Sequence, residues 1–169
     1  PLRRVRPIAG HELAFARSIT NRPIKIALPG PYLLTRMLSL DCVSDAVYAD
    51  RETLAADVVC ILREEAEALL ADGAAIVQFD EPVLTEVVFG KPAKDRSFMC
   101  GALSERREPA EELAFAGSLF NAVVKGLPRE RMAIHVCRGN WSRDEAVALR
   151  GDYSPLVPLL ASLDVGIYY

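Results

Sequence analysis

One feature restricts the fold of this chain more than any other: short β-rich runs alternate with helical stretches from one end to the other. Ile24–Leu28 (IKIAL) reads as a strand stopped by Pro29-Gly30-Pro31. Asp50 then stands as an N-cap with Glu52 in the first turn. Leu54, Val58, Ile61, Leu62 and Leu69 follow at helical spacing, and Gly73 occupies the position after the helix end. Ala75–Phe79 (AIVQF) is the second strand and runs into Asp80-Glu81-Pro82. Pro109 opens a further helix that carries Leu113, Ala116, Phe120, Val123 and Val124 and ends at Gly126 and Pro128. Met132–Val136 (MAIHV) is the third strand. Ser154-Pro155 caps a last helix, and Val165–Tyr169 (VGIYY) is the fourth strand.

Strands separated by helices imply right-handed βαβ units and a parallel sheet. The expected fold class is therefore α/β, as part of a (β/α)8 barrel with about four parallel strands present. A small doubly wound domain is the competing architecture. A closed barrel takes eight strands and about 250 residues, so residues 1–169 are expected to form a single domain that is a piece of a longer barrel. The charged stretch from Glu81 to Glu108 is expected to be a loop or short hairpin over one end of the sheet.

A net charge of −3 and no basic cluster with interleaved aromatics argue against a nucleic-acid partner. The apolar runs are shorter than the roughly 20 residues of a membrane helix, so no membrane partner and a cytoplasmic location are expected. The oligomeric state is left open. Cys42, Cys60, Cys100 and Cys137 form no CxxC and are read as reduced thiols, with Cys60 as core filler. Glu64, Glu65 and Glu67 read as a solvated helix face, and Arg3, Arg4 and Arg6 as a solvated terminus. His11 has no partner that spacing can name.

In a parallel βαβ sheet, ligands gather beyond the carboxyl ends of the strands. Three such ends carry candidate chemistry: Pro29-Gly30-Pro31, Asp80-Glu81 and His135–Cys137. Positions i and i+2 of a strand face the same way, about 6.6 Å apart along the backbone. His135 and Cys137 could thus share one ion, or could be a buried cysteine beside a satisfied core histidine. Burying a carboxylate without a partner is costly. Asp80 and Glu81 therefore either meet a positive group, such as a substrate ammonium or a protein arginine, or cap the turn that follows.

The segments IKIALPGPYLL, VYADRETLAADVVCILREEAEALLADGAAIVQFDEPVL and IHVCRGNW, taken in order, resemble the C-terminal catalytic barrel of cobalamin-independent methionine synthases, and in particular their methionine-synthase-II-like relatives. The resemblance implies a barrel of the uroporphyrinogen decarboxylase type with a catalytic Zn²⁺ that binds the homocysteine thiol. It implies that His135 and Cys137 are zinc ligands and that Asp80 binds the homocysteine amino group, with Glu81 beside it in the substrate site. Pro29–Pro31 would lie near the folate side. The remaining zinc ligands (a Glu and a second Cys) and the general acid are expected beyond Tyr169, and a companion N-terminal barrel is left open. The implied reaction moves a methyl group from 5-methyltetrahydrofolate to homocysteine, giving methionine. Alternatives are a related zinc-dependent thiol alkyltransferase with another donor or acceptor, and a non-catalytic barrel module. The RGN after Cys137 departs from the synthase motif and leaves donor and acceptor open.

Overall fold

The computed structural model describes residues 1–42, 47–90, 107–138 and 149–169, with the backbone alone at 40–42. Four strands form one parallel sheet in sequential order: β1 (Lys25–Pro29), β2 (Ile76–Asp80), β3 (Met132–His135) and β4 (Ile167–Tyr168). The helices are α1 (Gly10–Ile19), α2 (Pro31–Cys42), α3 (Arg51–Ala71), α4 (Val83–Phe89), α5 (Pro109–Val124) and α6 (Val157–Ser162). Short 3-10 turns at Arg129–Arg131 and Ser154–Leu156 precede β3 and α6. Consecutive β/α units in unbroken order are the way a (β/α)8 barrel is built, and the four strands described do not close on themselves.

Strand alternation divides the sheet into two faces. Ile26, Leu28, Val77, Phe79, Met132 and Ile134 point to the helices and are buried. Phe79 meets Phe120 of α5 edge to face, with ring centroids 5.7 Å apart, so β2 and α5 lock at the centre of the core. The opposite face carries Lys25, Ala27, Gln78, Asp80, Ala133 and His135, mostly small or polar side chains, with Ile76 and Ile167 among them.

All four strand runs are found, with ends shifted by a residue or more. The shift matters at Asp80, which is the last residue of β2 rather than the first of a loop. Asp50 caps α3 as expected, accepting from Thr53 N at 2.7 Å. Gly73 follows its end at φ +90°, a conformation that costs an L-residue about 1–2 kcal/mol.

Several expectations are corrected. Part of the stretch expected as loop or hairpin is helical: Val83–Phe89 form α4, with Thr85 Oγ1 donating to Pro82 O at 3.0 Å and Cys137 O at 2.7 Å. Its β-branched residues hid a helix that tertiary contact supports. Cys60 is exposed rather than core filler, because it lies off the α3 stripe of Leu54, Val58, Leu62 and Leu69. Glu65 lies on that stripe and is buried rather than solvated. Its carboxylate accepts from Arg4 Nε at 2.6 Å and Ala9 N at 2.8 Å. Arg4 therefore belongs to a docked N-terminal segment, not a solvated terminus. Cys100 lies outside the described residues, as do Gly139 and Asn140 of the RGN run.

Candidate active-site rim

The rim forms where β1, β2 and β3 end side by side. Pro29 pairs with Asp80, and Asp80 pairs with His135, so these three residues stand in one row on the polar face. Backbone hydrogen bonds continue the row: Gly30 N donates to Asp80 O at 2.8 Å, and Glu81 N donates to His135 O at 2.9 Å. The extended run of β3 also continues past its last ladder residue. Val136 N donates to Tyr169 O at 3.0 Å, and Val136 is buried on the helix side. Cys137 comes next, two residues after His135 and just past the end of β3. Both are partly exposed, and Cys137 is a free thiol.

Asp80 and Glu81 are sequence neighbours with opposite destinations. Asp80 stays on the polar face, where Gln78 Nε2 donates to its Oδ1 at 2.5 Å. Glu81 turns into the protein and is 1% exposed. Its Oε1 accepts from Tyr32 N at 2.8 Å and its Oε2 from Leu33 N at 3.0 Å, which are free N–H groups of the first turn of α2. The residue before that helix is Gly30, which has no side chain to cap it, and the carboxylate just past the end of β2 does so instead. Burial pushes the Glu81 carboxyl up to about 8; the two N–H donors oppose this and the Asp80 charge adds to it. The acidic pair therefore splits: Asp80 faces the rim, and Glu81 caps a helix that the sequence reading had not placed.

A second buried cluster lies behind the rim, between α2, α3 and α5. Glu112 accepts from Tyr32 Oη at 2.6 Å and from Arg51 Nη1 at 2.9 and 3.0 Å. Burial works against the Glu112 charge, but these donors outweigh it and its pKa is lowered; burial and the same carboxylate raise the Tyr32 hydroxyl. Spacing alone could not find this cluster, because its members are about 20 to 80 residues apart in sequence. Among the described residues no three His, Cys, Asp or Glu side chains lie close enough to hold a metal together. No helix among them is long and apolar enough to cross a membrane.

A parallel sheet in sequential order with helices on one face defines the class, part of a β/α barrel, and a carboxylate, an imidazole and a thiol lie at or just past the carboxyl ends of its strands. Residues 2–141 match the family described as "Cobalamin-independent synthase, Catalytic domain", and the chain belongs to that family. A 5-methyltetrahydropteroyltriglutamate–homocysteine methyltransferase of Chelativorans sp. is 31% identical over 140 residues, covering 82% of this chain and 16% of the relative. The Saccharomyces cerevisiae protein of that name is 28% identical over 152 residues, 89% of this chain and 18% of its own. The chain thus spans less than a fifth of the length of these relatives. Among solved structures, a B12-independent methionine synthase of Shewanella sp. W3-18-1, in complex with selenomethionine, superposes with a TM-score of 0.57. It is 32% identical, over 82% of this chain and 33% of that one.

Proposed function

We propose that this chain supplies part of the active site of a zinc-dependent methyltransferase that converts homocysteine to methionine with 5-methyltetrahydrofolate as donor. One observation carries the reading: Asp80 and His135 are register partners on neighbouring strands, and Cys137 follows His135 by two residues just past the end of β3. The relatives named as homocysteine methyltransferases, and the selenomethionine held by the Shewanella protein, support the choice of reaction.

Imidazole nitrogen and thiolate sulfur are zinc donors by type, and strand spacing lets His135 and Cys137 lean toward one ion, with Zn–N and Zn–S distances of about 2.0–2.3 Å. They would hold Zn²⁺ together with ligands from outside the described residues. When bound, the ion supplies a Lewis acid that keeps a substrate thiol deprotonated at neutral pH. The remaining work falls to the chain itself. Asp80 receives the substrate ammonium and fixes its sulfur relative to the donor, reducing the entropic barrier to attack. Glu81 holds α2 against the end of β2 and so keeps Asp80 in place. The methyl group passes from N5 of the folate to sulfur, and N5 takes a proton as it leaves.

The test is zinc content and homocysteine methylation of the purified protein beside its Cys137→Ser and Asp80→Asn variants. Cys137→Ser should lose most of the zinc and at least about a hundred-fold in rate, in line with losing one metal ligand. Asp80→Asn should keep the zinc and weaken homocysteine binding. A Cys137→Ser protein with full zinc and full rate overturns the reading.

A further inference from the structure

Gln78 is buried on the polar face of β2, and both of its amide atoms are used. Its Oε1 accepts from Lys25 Nζ at 2.6 Å, and its Nε2 donates to Asp80 Oδ1 at 2.5 Å. The orientation of the amide is chemically fixed. An ammonium only donates and a carboxylate only accepts, so the flipped amide would lose both bonds. Register explains the available space. The side-by-side neighbours of Gln78 are Ala27 on β1 and Ala133 on β3, both small, so the amide can lie along the strand between Lys25 below and Asp80 above. The Lys25 ammonium is held from its other side by the Tyr169 ring, 4.0 Å from the ring centroid.

We propose that Lys25 and Gln78 form a positioning relay that aims the Asp80 carboxylate at the substrate ammonium, and that Gln78 thereby helps to select amino-bearing thiols. The proposal rests on the reading of Asp80 as the group that binds the amine. The Lys25 charge on Oε1 polarises the amide and strengthens the bond from Nε2 to Asp80. That bond engages Oδ1 and fixes the plane of the carboxylate. Among the described residues no protein group donates to Oδ2, which leaves it for a ligand. A carboxylate aimed in advance binds a cation without losing rotamer freedom at that moment. The relay touches neither the sulfur nor the methyl donor. It therefore acts on ground state and transition state alike, and its loss should appear in KM rather than kcat.

The experiment compares two thiols, homocysteine and its amine-free analogue 4-mercaptobutanoate, in Gln78→Leu, Lys25→Met, Asp80→Ala and the Gln78→Leu/Asp80→Ala double variant. Gln78→Leu should raise KM for homocysteine about ten-fold, the size of one charge-assisted hydrogen bond, and leave kcat within about two-fold. Lys25→Met, which removes an exposed side chain, should shift KM in the same direction by less, and provides the test should Gln78→Leu fold poorly. Neither should alter KM for the amine-free thiol, and Gln78→Leu should add nothing once Asp80 is alanine. Effects that add in full in the double variant, or that are equal for both thiols, overturn the relay and leave the Asp80 reading standing. An Asp80→Ala protein that treats the two thiols as wild type does overturns the amine-binding reading and the relay with it.

Discussion

Glu65 shows what periodicity reveals at the level of one residue and what it conceals. It sits on the same helical stripe as Val58, Leu62 and Leu69, so its place in the sequence already pointed inward. The neighbouring Glu64 and Glu67 made the trio look like a solvated face. What decides its burial is Arg4 and the Ala9 amide, about 60 residues away, which no local pattern connects to it. Burial opposes the Glu65 charge, but the backbone N–H groups of Ala9 and Ile8 and the Arg4 guanidinium outweigh it and hold its carboxyl below the usual glutamate range. The sign follows from linkage. With the folded value below the unfolded one, this contribution is complete above about pH 4.5 and is lost as pH falls through the folded value. Urea unfolding of wild type should therefore lose stability on acidification below about pH 4.5, and Glu65→Gln should lose less. At neutral pH the variant should be weaker by about 1–3 kcal/mol, the cost of a buried group left short of its partner. Curves for the two proteins that stay parallel from pH 7 to pH 3 would contradict this.

Among the elements, α2 depends on a neighbour for its first turn. The Pro29-Gly30-Pro31 run was legible as the end of a strand, but the helix that Pro31 begins was not, because its cap comes from β2. Gly30 is required by that arrangement: a Cβ there would lie 2.2 Å from Glu81 Cδ and Oε1. Gly30→Ala should therefore displace the Glu81 carboxylate and cost about 1–3 kcal/mol, the usual range for overpacking, with a matching fall in denaturation midpoint. An unchanged midpoint would mean that Glu81 does not hold α2. The contrast with α3 is instructive. Asp50, Thr53 and Gly73 lie in or within two residues of the helix they delimit, so its sequence alone marks both of its ends. α4 is the opposite case, a helix rich in Val that Thr85 anchors to the backbone of Cys137.

At the scale of the whole molecule, the order of the sheet and the position of Asp80 and His135 at its strand ends could be read in advance. Each strand run was continuous, and the first three ended on a visible change of residue type. The split between Asp80 and Glu81 could not, since strand alternation separates them only once the last ladder residue is known. Among the described residues the sheet has β1 and β4 at its margins, and β1 alternates exposed and buried positions along its length. Such edges invite pairing with another chain. A polypeptide of these 169 residues alone should associate as its concentration rises in sedimentation velocity. Proline at Ala27, which removes an edge donor, should reduce that association. Purely monomeric behaviour at every concentration would show the margins to be protected.

Since adjacent side chains of a strand look in opposite directions, the scaffold is written in two interleaved alphabets. Letters facing the helices can be respelled among aliphatic residues with little consequence for what the opposite face presents. Letters facing the barrel axis can be exchanged to suit a new nucleophile without disturbing how the chain folds. A lineage built this way can change substrates one strand tip at a time while its architecture stays still.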